Sequence, residues 1–265
     1  MQDMKATTGA DKNIISLMNN YVESSDVLEK IVHKISYLQD KNTRKPTQKR
    51  KGMIIFDIDG TILDNFPRQV AILINLFSEM PEIKEIYLNE GYLRQLLPNP
   101  YSLLKHIIEK SGNTQIIREL QPKFLKFFLS NEYLENDILI SGFSTFFKQL
   151  LLNTPEDIEI TFLTGRPEQE MREGTITSLN LLGIDFNTKK FQLIMKPKIE
   201  MEDYDFKVQV LSALKTDQIQ VLAFFDNEPN NCILAKKFFP NALVVQYLSS
   251  QAGNEIFHGP IISTW

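Results

Sequence analysis

The sequence is short of cysteine and histidine. It has one cysteine, Cys232, which excludes an intrachain disulfide and fits a reducing compartment. The three histidines, His33, His106 and His258, share no metal-ligand spacing and read as structural residues. Long hydrophobic runs are missing too: Val70–Ile74 falls far short of the ~20 residues that span a bilayer. The opening Met-Gln-Asp-Met-Lys has no apolar signal core. The expectation is therefore a cytoplasmic protein without a transmembrane segment. Positive charge is not in excess either, since the net charge is −4, so no nucleic-acid partner is expected of the chain as a whole. What is present is apolar material, 43% of 265 residues. That suffices for one sizeable core, or a core plus a smaller domain.

The most informative stretch runs from Lys51 to Asn65. Met53–Phe56 is an apolar, β-prone run broken at Asp57, as when a buried parallel strand opens at its carboxyl end into a site. Asp57 and Asp59 follow two apart, then Gly60 and Thr61. In a continuing strand both carboxylates would share one face and repel. Gly60 predicts a turn instead. Two acids at a strand end suit a divalent cation and a phosphate.

On the N-terminal side, Ile14, Leu17, Met18, Tyr21 and Val22 recur at helical spacing. A second helix follows Asp26, with Glu29 completing a capping-box pattern and an apolar face of Val27, Leu28, Ile31, Val32, Ile35 and Leu38. The pair predicts a helical hairpin that packs on the main domain, with a partner or membrane-surface role for residues 14–51 as the alternative. Lys41–Lys51 carries six basic residues and reads as a flexible solvated linker, with anion binding as the alternative. Removal of residues 1–51 is expected to spare catalysis.

Residues 65–141 show helical patterns and no good strand signal. Pro67 starts a helix with apolar residues from Val70 to Phe77, Tyr101–Lys110 forms another, and Gln115–Leu129 a third that is disturbed by Pro122. After a helix at Phe143–Leu152, strands return at Ile158–Leu163, Phe191–Met195, Gln220–Phe225 and Ala242–Tyr247, with a helix at Met171–Leu182 between the first two. Strands alternating with helices predict an α/β fold with a parallel sheet.

Two of these strands end in chemically useful groups. Thr164 and Gly165 close the second strand, where a hydroxyl and backbone N–H groups can hold phosphate oxygens. Asp226 closes the fourth, followed by Asn227 and Glu228.

Asp57-Ile58-Asp59-Gly60-Thr61 after an apolar strand resembles the nucleophile motif of the haloacid dehalogenase superfamily. Thr164-Gly165-Arg166-Pro167-Glu168, with Arg172, Thr175, Leu179 and Leu182-Gly183-Ile184, resembles its acid-phosphatase branch. The likeness covers about residues 52–248. It implies a Rossmannoid sheet of order 5-4-1-2-3 built from 52–64 and 142–265, a helical cap at 65–141, and an N-terminal helical extension at 1–51. It further implies a Mg²⁺-dependent phosphomonoester hydrolase. In that reading Asp57 is the nucleophile and Asp59 the general acid and base. Thr164 and Gly165 hold phosphate together with a lysine between Thr164 and Asp226, for which Lys207, at a helix start, is the choice over Lys196 and Lys198. Asp57, the Asp59 carbonyl and Asp226 hold Mg²⁺, and Glu228 is not expected to. The substrate would be a phosphorylated small molecule or a phosphoprotein. Phosphatases of the Eyes absent family also carry a helical insert after the nucleophile, so a protein phosphatase stays open. So do a phosphomutase using the same residues and a silent binding module.

Overall fold

The structure, a computed structural model, describes residues 20–79, 114–249 and 255–265. Its elements in chain order are α1 (Ser24–Arg44), β1 (Lys51–Phe56), β2 (Leu63–Asp64), α2 (Phe66–Leu76), α3 (Thr114–Phe128), β3 (Ile138–Leu139), α4 (Phe143–Leu152), β4 (Ile158–Pro167), α5 (Glu168–Asn180), β5 (Phe191–Lys196), α6 (Asp203–Leu214), β6 (Ile219–Asp226), α7 (Pro229–Phe238), β7 (Leu243–Tyr247) and β8 (Ile261–Ile262).

The main sheet has the order β5-β4-β1-β6-β7-β8 with every pairing parallel. Its first five strands are the predicted order read from the other edge, and β8 is an addition. β1 sits between β4 and β6, so its side chains alternate between two covered faces. Ile54 and Phe56 join a core with α1 and α4, whereas Met53 and Ile55 join one with α6 and α7. A near-continuous apolar run is what a strand buried on both faces requires. Phe56 lies stacked on Phe225 of β6 at 4.6 Å between ring centroids, tying the two central strands together.

In the N-terminal region α1 lies against the main domain, whereas the basic run and the first helix differ from the sequence reading. Val27, Ile31, Ile35 and Leu38 of α1 are buried in the main core. Leu38 packs against Gly52, where an added Cβ would lie 2.9 Å from its Cδ2. The apolar face of α1 is therefore covered by the sheet. The basic run is no flexible linker. Its first residues finish α1, Lys51 opens β1, and Asn42 bonds the Arg50 backbone in both directions, at 2.8 and 2.9 Å. A side-chain amide that mimics a backbone turn in this way pins the segment. Tyr21 and Val22, assigned to a first helix, instead meet Ile261 as extended chain, with the Val22 N–H donating to its carbonyl at 2.9 Å. The rest of that helix, Ile14–Met18, lies outside the described residues.

The helix at Tyr101–Lys110 also lies outside the described residues. Within the segment expected to lack strands, β3 pairs antiparallel with β2 in a two-stranded ribbon. Among the described residues no helix is long and apolar enough to cross a membrane.

Candidate active site

Three adjacent strands, β4, β1 and β6, bring their carboxyl ends together. There the backbone leaves the sheet and charged side chains collect. After β1, Ile58 accepts hydrogen bonds from the N–H groups of Thr61, Ile62 and Leu63, closing a tight loop. Gly60 makes it with φ of 74°, and a Cβ there would fall 2.5 Å from Asn227 Nδ2. Glycine is needed on both counts.

Asp57 and Asp226 are both buried, and a single ammonium joins them. Lys207 Nζ donates to Asp57 Oδ1 at 2.8 Å and to Asp226 Oδ2 at 2.7 Å. The Thr61 hydroxyl donates to Asp57 Oδ2 at 3.1 Å. Asp226 Oδ1 accepts from the Glu228 N–H at 2.9 Å and Asn231 Nδ2 at 3.1 Å. Two carboxylates against one cation leave a negative excess in a dry place. Burial pushes the Asp57 carboxyl up, to about 8, against the pull of Lys207 and with the help of Asp226. Lys207 goes the other way: burial would lower it, but Asp226 and then Asp57 hold its ammonium above the usual range.

Asp59 has a different environment. Arg166 donates from Nε to Asp59 Oδ2 at 2.7 Å and from Nη2 to Oδ1 at 2.8 Å. Arg68 Nη2 and Asn65 Nδ2 add bonds to Oδ1 at 3.1 and 3.2 Å. Burial would raise this carboxyl, but the guanidinium of Arg166, then that of Arg68, hold it well below the usual carboxylate range. Thus Asp59 is a clamped anion in this arrangement.

The other predicted residues fall around the same space. A cavity of about 430 Å³ is bordered by Asp57, Asp59, Thr164, Gly165 and Lys207, with Asn227 and Glu228 also on its wall. Asp226 lies beneath, wholly buried. β4 continues through Thr164 and Gly165 to Pro167 rather than ending at the threonine, with a register shift against β5 between Thr164 and Pro167. The Arg166 N–H donates to the Thr164 hydroxyl at 3.2 Å. Of the competing lysines, Lys196 is ion-paired with Asp203 and Lys198 is exposed, so only Lys207 reaches both acids.

Three important residues escaped the sequence reading. Arg166 stands within the Thr164–Glu168 motif, which assigns it no role. Its neighbour Thr164 was the available signal. Arg68 on α2 and Asp137 before β3 lie in segments without a chemical pattern. Asp137 accepts from Arg166 Nη2 at 2.6 Å, and burial pushes its carboxyl up, to about 6, despite Arg166 and Arg68.

Among the described residues no group of three or more His, Cys, Asp or Glu side chains is placed to hold a metal ion. A cation that binds few protein groups and keeps its waters is a different case. Each carboxylate has about four lone-pair positions. Among the described residues Asp57 accepts two hydrogen bonds and Asp226 three, which leaves acceptor capacity on each. With the excess negative charge, this donor set fits one hard divalent cation.

Several solved structures are similar to this chain. A candidate phosphatase from Clostridium difficile is 17% identical, with a TM-score of 0.53, over 82% of this chain and 96% of that one. A haloacid dehalogenase-like family hydrolase from Streptococcus pneumoniae is 12% identical, with a TM-score of 0.49, over 82% and 95% of the two chains. A candidate haloacid dehalogenase-like hydrolase from Bacteroides fragilis is 14% identical, with a TM-score of 0.48, over 82% and 98%. No family model and no curated protein matches the sequence. The first of these likenesses, together with the sheet order, defines the fold: a haloacid dehalogenase-like Rossmannoid α/β architecture.

Proposed function

We propose that this chain is a Mg²⁺-dependent phosphomonoester hydrolase. The observation that carries the reading is the pair Asp57–Asp226 held by Lys207 at the floor of a cavity walled by Thr164. Open α/β sheets bind ligands at this carboxyl edge. Asp57 is the nucleophile, and its carboxylate attacks phosphorus to give an aspartyl-phosphate that water then hydrolyses. Lys207 and the Thr164 hydroxyl steady the equatorial oxygens, supplying charge and a donor where negative charge spreads in the transition state. Asp57, Asp226 and the Asp59 carbonyl are the groups that would hold Mg²⁺, which screens the approach of two anions. The described parts of the segment 65–141 act as a cap, since Arg68 of α2 and Phe128 of α3 border the cavity. The motif-level likeness to acid phosphatases fits this reading.

Asp59 leaves Arg166, takes up a proton from solvent, and only then protonates the leaving oxygen. Asp59→Asn should lower kcat/KM for alkyl phosphates by about 10²–10⁴, the usual worth of a general acid. Aryl phosphates, whose leaving oxygens are weakly basic, should lose much less. Equal losses on both substrates would give Asp59 another role.

The metal can be tested by titrating activity with magnesium. Asp226→Asn should raise the half-saturating concentration steeply, Glu228→Gln should leave it nearly unchanged, and Asn227→Asp should lower it or do nothing. A cation must displace the Asp57 proton below about 8. The requirement should therefore rise by up to about tenfold per pH unit below that value. A flat requirement across that range would remove Asp57 from the metal set.

A further inference from the structure

Beside the phosphate end of the cavity lies an ion cluster that hydrolysis of a simple ester does not need. Arg166 bridges Asp59 and Asp137. Arg68 also faces both, with Nη2 at 3.1 Å from Asp59 Oδ1 and Nε at 3.1 Å from Asp137 Oδ1. Among these four side chains two cations face two anions. Three of the four are sealed, with side-chain exposures of 1% for Arg68, 2% for Arg166 and 0% for Asp137, whereas Asp59 keeps 16%. Both guanidiniums and Asp59 border the cavity that also contains Asp57 and Lys207, and Asp137 does not.

As a stabilising device such a cluster is a poor choice, because buried ion pairs add little over apolar packing of the same volume. As a binding device it is well made. Exchanging one anion for another at a guanidinium keeps the charges balanced, and Asp59 is the anion with room to leave. We propose that Arg166 and Arg68 form a subsite for a second anionic group on the substrate. The enzyme then takes small phosphorylated acids or bisphosphates in preference to phosphate esters of neutral alcohols. This rests on the hydrolase reading for the first phosphoryl group, held at Asp57, Lys207 and Thr164.

The planar fork of arginine matches carboxylate and phosphate oxygens alike. The fork of Arg68 is held from the other side. Its Cζ lies 4.3 Å from the centroid of the Phe128 ring, and its Nη1 donates to the Phe128 carbonyl at 3.4 Å. It therefore stays aimed at the cavity when Asp59 turns away. The volume of about 430 Å³ suits a small metabolite. Arrival of the second anion also releases Asp59 to take up a proton from solvent and pass it to the leaving oxygen, so substrates that carry one bind better and react better.

The test is equilibrium binding to Asp57→Asn protein with magnesium present. Three phosphorylated ligands of matched size are compared, bearing a carboxylate, a second phosphate, or a neutral amide. Either anionic ligand should bind at least about tenfold more tightly than the neutral one, the worth of a charge-assisted hydrogen bond. The two anionic arms tell a carboxylate subsite from a phosphate subsite. Adding Arg68→Gln should erase most of the ratio. Arg68→Lys, which keeps the charge and loses the fork, should retain part of it. Equal affinities for all three ligands, including no binding to any, would overturn the subsite, whether or not the Arg68 variants fold. Turnover is read separately in the wild-type protein. Hydrolysis of a neutral-alcohol phosphate with equal affinities sinks only the subsite, whereas an intact ratio without any turnover sinks only the hydrolase reading.

Discussion

Asp57→Asn should abolish turnover, by on the order of a thousandfold or more as expected for loss of a nucleophile, while leaving the protein folded. The side chain keeps its shape: its oxygen still accepts from Lys207, and its amide nitrogen donates to the Thr61 hydroxyl in place of the bond accepted from it. Its effect on stability has a definite sign. The folded carboxyl is raised to about 8 from an ordinary 3.8, so between those values the native state holds a proton that the unfolded chain has released. In metal-free protein, stability from this group is full below about 4 and falls as pH rises toward 8. An asparagine has no proton to lose. In chelator near pH 8 the variant should melt no lower than wild type, and the wild-type decline between about pH 5 and 8 should shrink. Wild-type turnover in purified, folded variant would remove Asp57 from the chemistry.

Deleting residues 1–51 should prevent folding, against the expectation drawn from charge and composition. Val27, Ile31, Ile35 and Leu38 are almost wholly buried. At about 1.5–3 kcal/mol for each buried aliphatic side chain, four amount to roughly 6–12 kcal/mol. That rivals the whole stability of a typical domain, about 5–15 kcal/mol. The deletion would also remove Lys51 from β1 and expose Gly52 and Ile158 beneath Leu38. Circular dichroism and a melting curve decide the matter. A cooperative transition near that of the full chain would show that α1 is an appendage.

These two predictions divide along what the sequence made legible. Strand ends carrying Asp57, Thr164 and Asp226 were readable because each is a polar break in an apolar run, a local signal. Their convergence followed from the alternation of strands and helices, which leaves few topologies open. The amphipathic face of α1 was equally visible, yet periodicity says only that a face is buried, not against what. The choice among Lys196, Lys198 and Lys207 depended on direction in space, which no run of residues encodes. The cluster around Asp59 was invisible for a related reason. Arg68, Asp137 and Arg166 come from three separate segments, and none sits at an interruption of a pattern. β8 was missed because its pairing with β7 involves just two residues on each strand, too few to carry a period.

The central position of β1 bears on how the chain reaches this state. Ile54 pairs with Ile160 on one side and with Ala223 on the other, so the innermost strand finds no partner among its neighbours in sequence. Non-local pairings of this kind slow folding, since the loop must close before the contacts reward it. The penalty itself grows only with the logarithm of loop length. Lengthening or shortening the intervening segment therefore costs the sheet little, and the residues that shape the cavity can be rebuilt without touching its floor. The same arrangement has a hazard during synthesis. Met53–Phe56 leaves the ribosome as an unpaired apolar strand and must wait for Ile158–Leu163 before either edge is covered, an interval in which it is a target for intermolecular pairing.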